Sequence, residues 1–112
     1  MGLKVTYGCF EGLYSQFHAF RRALCKAGGL GELHHYKGFA QKGMDWPKNE
    51  PLVALLDHSD CDGVIEKKDT LPLARRMEDL APELKEPYKG WAIRFSEGLL
   101  ASLADHGTIE FY

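Results

Sequence analysis

With 112 residues, 45% of them hydrophobic and 27% charged, the chain has the make-up of one globular domain that can bury a core without disulfides or metal. Its net charge of −2 provides no field to hold nucleic acid or an anionic membrane, so both are disfavoured as partners. Three cysteines without a CxxC pair, no apolar leader at the start and no stretch long enough to span a bilayer lead to the expectation of a reduced, cytoplasmic protein.

Taken in order, Leu3–Tyr7 alternates and is β-branched, which predicts a short strand broken by the glycines at 8 and 12. Ser15 is the expected N-cap of a helix running to Ala27, with Phe17, Phe20, Leu24 and Ala27 on one face and Gly28 as its stop. Residues 28–48 are rich in glycine, aromatics and histidine and show no steady period, which predicts a long loop of functional interest. Pro51 sits where a helix opens, and Leu52, Leu55 and Leu56 would bury a short one. Asp69 or Thr70 is expected to cap a helix with the stripe Leu73, Met77, Leu80 and Leu84. Pro87 opens a last helix whose face is Tyr88, Ala92, Phe95, Leu99 and Leu103, closed by His106 and Gly107. Thr108–Tyr112 alternates again and is expected to pair with the first strand. The whole of 1–112 therefore reads as a single α+β domain. It is mostly helical, with a small sheet from the N- and C-terminal strands and an EF-hand-like helix–loop–helix.

That helix–loop–helix rests on His58-Ser59-Asp60-Cys61-Asp62-Gly63-Val64-Ile65-Glu66-Lys67-Lys68-Asp69. Against the twelve-position calcium loop, acidic side chains fall at positions three, five, nine and twelve, glycine at six and an aliphatic residue at eight. The candidate ligands are His58, Asp60, Asp62, the Val64 carbonyl, Glu66 and Asp69. Histidine at position one and the short Asp69 at twelve fit calcium poorly, and suit manganese or zinc at least as well. The alternative stays open that Asp60 and Asp62 organise the turn through their own backbone, with no metal.

A second set of candidates surrounds the first helix. Its N-terminus follows a glycine- and aromatic-rich turn, and Ser15, His18, Arg21 and Arg22 would face an anion there, away from the phenylalanines. His35, Tyr36 and Trp46 of the long loop would add a pocket wall and a ring to stack on a base. An ordinary solvated basic face and a loop anchored by its own tryptophan remain the competing readings. No nucleophile–base pattern, zinc signature or phosphate-binding loop is present, so no catalytic residues are assigned.

The block Pro51-Leu52-Val53-Ala54-Leu55-Leu56-Asp57-His58-Ser59-Asp60-Cys61-Asp62-Gly63, with Phe20-Arg21-Arg22-Ala23-Leu24 before it, resembles a group of small proteins of bacteria and their phages. No activity travels with that resemblance. It implies a setting, the host cytoplasm if phage-encoded, in which small proteins often act by binding in counter-defence. Three functions are carried forward. The first is a non-enzymatic binding protein for a small anionic, nucleotide-like ligand or a host protein, with self-association open. The second is an EF-hand-like module with a structural divalent cation (calcium, manganese or zinc). The third is a metal-dependent hydrolase of a nucleotide or phosphoester.

Overall fold

The computed structural model describes residues 2–112. Strand β1 (Gly2–Val5) turns back on β2 (Phe10–Leu13), which leads directly into helix α1 (Tyr14–Ala27). The long loop follows, then the one-turn helix α2 (Val53–Leu56), strand β3 (Val64–Ile65), helix α3 (Lys67–Leu80), helix α4 (Tyr88–Ala104) and strand β4 (Ile109–Glu110). The α+β, mostly helical reading holds.

The expected pairing of the terminal strands is present, and each end also has a partner strand that was not expected. The glycine segment after β1 makes a hairpin, because Tyr7 and Gly8 both take the left-handed conformation, at φ 61° and 71°. That reversal lets β2 lie antiparallel to β1, with Val5 opposite Phe10. At the other end β4 pairs with β3, Ile65 opposite Ile109. The two pairs are joined where the chain ends meet. Val5 bridges Phe111, Lys4 N–H donates to Tyr112 O at 2.7 Å, and Tyr112 N–H returns to Lys4 O at 2.9 Å. The final residues thus lie between the N-terminal hairpin and the loop carrying β3.

Two helix starts are shifted from the expected positions. Leu13, not Ser15, occupies the N-cap of α1, and Gln16 Oε1 accepts the Leu13 N–H at 2.7 Å, so a glutamine three residues on does the capping. Helix α3 opens at Lys67 with Glu66 extended before it, and Thr70 Oγ1 donates to the Glu66 carbonyl at 3.0 Å from inside the first turn. Asp69 lies in that turn, where a carboxylate meets the positive end of the helix dipole.

The core forms between the inner faces of the helices. Phe17, Phe20 and Leu24 of α1, Leu73, Ala74 and Met77 of α3, and Ala92, Phe95 and Leu99 of α4 are fully buried, with Leu52, Leu55 and Leu56 beside them. Each large side chain of this set contributes about 1.5–3 kcal/mol by leaving water. Helix α4 crosses the β1–β2 turn at a glycine. A Cβ at Gly98 would stand 2.5 Å from Cys9 Sγ and 2.8 Å from Tyr7 O, so only glycine permits that approach.

The long loop is pinned to this core. Tyr36 is buried, donates its hydroxyl to Leu30 O at 2.6 Å and stacks on Trp46 with ring centroids 4.4 Å apart and planes 8° from parallel. Lys37 N–H donates to Met44 O and Met44 N–H to His35 O, closing the chain on itself around Gly43. Arg76 of α3 holds the loop's far end. Its Nε and Nη2 grip the two Glu50 oxygens at 3.1 and 3.0 Å, and Nη2 also donates to Gly28 O at the end of α1.

Candidate functional site

The His58–Gly63 turn is bordered by two recesses, and a buried arginine holds it. Arg21 was expected on the outer face of α1. Its side chain instead passes inward over Phe17, with the guanidinium carbon 4.5 Å from that ring and 5.2 Å from Phe39. Nη1 donates to Leu55 O at 3.3 Å, Leu56 O at 3.4 Å and His58 O at 2.5 Å. Leu55 O also accepts the His58 N–H at 3.3 Å, whereas Leu56 O at the end of α2 and His58 O just beyond it rely on the guanidinium, so Arg21 closes α2 from outside. The residue is 4% exposed, and burial pushes the guanidinium down to about 10, with Asp60 and then Asp57 opposing that shift. Nε has no partner among the described residues.

The segment from His58 to Asp69 follows the outline of a calcium loop. A helix turn precedes it, glycine at position six has φ 93°, a short strand lies at positions seven and eight, and the exiting helix begins at position ten. The centre of the loop is where it departs. The carbonyl at position seven, Val64 O, would face the ion in a calcium loop; here it lies 2.9 Å from His58 Nε2. The other ring nitrogen, Nδ1, lies 2.7 Å from Ser59 O. The imidazole covers Gly63, whose Cβ would come 3.4 Å from His58 Cε1, and its outer face stacks on Phe111 at 3.9 Å. A side chain thus ties together the backbone that an ion would gather.

The remaining candidate ligands are dispersed by this arrangement. Val64, Glu66 and Asp69 face one recess, and Asp60 lies in another on the far side of the turn, with His58 bordering both. Among the described residues no group of three or more His, Cys, Asp or Glu side chains is assembled to hold a metal. The six ligands named from the sequence therefore do not fit a bound cation, and no hydrolytic step is derived through one. Calcium and chelator are expected to leave the melting temperature of the native chain unchanged. The double substitution His58→Asp, Asp69→Glu removes the ring and restores the expected acidic ligands. It should make the melting temperature rise with calcium, by about 2.7 kcal/mol of stability at a hundredfold excess over Kd. Calorimetric melting of both proteins with and without calcium decides it; a native chain that responds to calcium refutes the imidazole's role.

The anion candidates are gathered only in part. Phe39 collects His18, Arg21 and Trp46 around itself, at 5.9 Å from the His18 ring and 6.3 Å from the Trp46 ring. Burial and the charges of Arg21 and Arg22 hold the His18 imidazole below its ordinary value. Arg22 points to a different recess with Lys26, Glu32 and Tyr88. His35 packs edge-on against His34, and Ser15 stands exposed at the start of α1. Tyr36 and Trp46 each turn one ring face to the other.

A wide recess on the other side of the turn was not expected from the sequence. It measures about 750 Å³ and is formed by the segment from Pro47 to His58, strand β3 and the first turns of α3. Glu50, Asp57, Glu66 and Asp69 line it together with Pro47, Pro51, Pro72 and Val64, and no lysine or arginine does. Glu50 is neutralised from behind by Arg76 and the exposed Glu66 pairs with Lys68 at 3.6 Å, whereas Asp57 is exposed and Asp69 half-buried. Its signal in the sequence was the recurrence of acidic residues at 50, 57, 66 and 69, which only the fold brings to one wall.

Among the described residues no helix is long and apolar enough to cross a membrane. Comparison with protein-family models, with curated proteins and with solved structures gave no match.

Proposed function

We propose that this chain is a binding protein that engages a partner protein through the acidic cleft beside the His58 turn, taking up a lysine- or arginine-bearing segment. The observation that carries the reading is the lining of this recess: four carboxylates and three prolines, with no lysine or arginine among the described residues in its wall and only Glu50 and Glu66 paired from outside it, with Arg76 and Lys68. Calcium takes six to eight oxygens at about 2.3–2.6 Å, and among the described residues no group of three or more His, Cys, Asp or Glu side chains is assembled for a metal. A long basic side chain is served better. Its methylene stem lies along Val64 and the prolines while its charged head meets Asp57, Glu66 and Asp69. In the phage setting that the sequence resemblance implies, the partner is a host protein.

A fluorescent oligolysine peptide read by anisotropy tests this. Glu66→Gln with Asp69→Asn should weaken binding by about tenfold. Asp79→Asn with Glu83→Gln changes the net charge equally but away from the cleft, and should leave binding nearly as it was. Equal losses in the two variants would mean that the peptide senses overall charge and no cleft, and the reading would fall.

A further inference from the structure

The recess on the other side of the His58 turn has a different chemistry. It measures about 280 Å³ and is lined by Arg21, Gly38, Phe39, Asp57, Ser59 and Asp60 among others. That is slightly below the roughly 300–1,000 Å³ typical of drug-sized pockets, so it suits a smaller molecule. Its base is the buried guanidinium, whose Nη1 is spent on backbone carbonyls and whose Nε has no partner among the described residues. No carboxylate among the described residues lies within ion-pair distance of Arg21. Asp57 and Asp60 stand exposed at the opening. Gly38, at φ 94°, lies beside Asp57, so that a Cβ there would touch Asp57 Oδ1 at 3.9 Å.

A buried charged donor that lacks an acceptor is costly, by about 1–3 kcal/mol or more. A simple anion entering to supply one would pass two carboxylates, and a simple cation would meet the guanidinium. A ligand with an acceptor at its inner end and a positive charge at its outer end satisfies both. We propose that this recess binds a small zwitterion, an α-amino acid with a short side chain, carboxylate toward Arg21 and ammonium toward Asp57 and Asp60. The site shares Asp57 and His58 with the acidic cleft, whereas Arg21 and Asp60 belong to it alone, so a change at Asp60 tests it apart from the cleft.

The experiment is a titration of the full chain followed by ¹⁵N–¹H correlation spectra, with glycine as probe and acetate and methylammonium as its two halves. Glycine should shift the amides of Gly38, Ser59 and Asp60 in a saturable way at millimolar concentration, with each half at least about tenfold weaker. Asp60→Asn, an exposed change that the fold tolerates, should weaken glycine by about tenfold, and Asp79→Asn should leave it unchanged. Acetate binding as well as glycine would overturn the proposal in favour of a plain anion site. The absence of any saturable shift with the three probes would overturn it too, and leave Arg21 with the turn as its sole task.

Discussion

Replacing Arg21 with alanine is expected to lower stability by about 3 kcal/mol and the melting temperature by roughly 10–20 °C. The loss has two sources. Leu55, Leu56 and His58 lose their shared donor, and a buried acceptor left without a partner costs about 1–3 kcal/mol. Phe17 and Phe39 also lose the guanidinium packed between them. The retained cost of burying an unpaired charge is recovered in the variant, which is why the estimate stops near the value for a few hydrogen bonds. Arg22→Ala, one residue on and exposed, should change stability by less than about 0.5 kcal/mol. Urea unfolding of the two variants beside the native chain measures the contrast. Similar midpoints for the two would show that water replaces the guanidinium at the three carbonyls, and the clamp would be discarded.

That contrast marks the limit of what the sequence could disclose. On a helical wheel Arg21 falls beside Phe17 and Phe20, but an arginine next to another arginine reads as a solvated pair. Nothing local says that the end of a helix more than thirty residues away lacks donors. The helices themselves were legible because their apolar spacing is a property of each segment: Leu73, Met77, Leu80 and Leu84 are all buried, as the stripe requires. The loop outline was legible for the same reason, since glycine at position six and the helix entry three positions beyond Val64 are local features. What an imidazole does inside that outline is not local, because His58 is held by Phe111 from the other end of the chain. The strand β2 was missed on a local rule that failed. Two glycines around an aromatic read as a break, and here one of them supplies the left-handed turn of a hairpin while the other lies within its second strand. The acidic cleft needed the whole fold, because Glu50 comes to it from the segment before α2 and Asp69 from the first turn of α3.

Phe20→Ala is expected to be the most damaging single change, at about 3–5 kcal/mol. Phe20 is fully buried, and its ring lies 6.2 Å from Phe10, 5.9 Å from Trp91 and 6.2 Å from Phe95. It therefore joins β2, α1 and α4. Truncation removes the transfer energy of a benzyl group and leaves a cavity among rings that are rigid and cannot collapse to fill it. With a total stability of about 5–15 kcal/mol expected for a domain of this size, such a loss brings the variant close to unfolding at body temperature. Phe20→Leu should recover more than half of the loss, because most of the volume returns. Differential scanning calorimetry on both variants gives the answer. If alanine costs no more than leucine, the aromatic cluster is looser than its ring distances imply. The Arg21 clamp, not the core beneath it, would then be the main restraint on how α1 sits against the His58 turn.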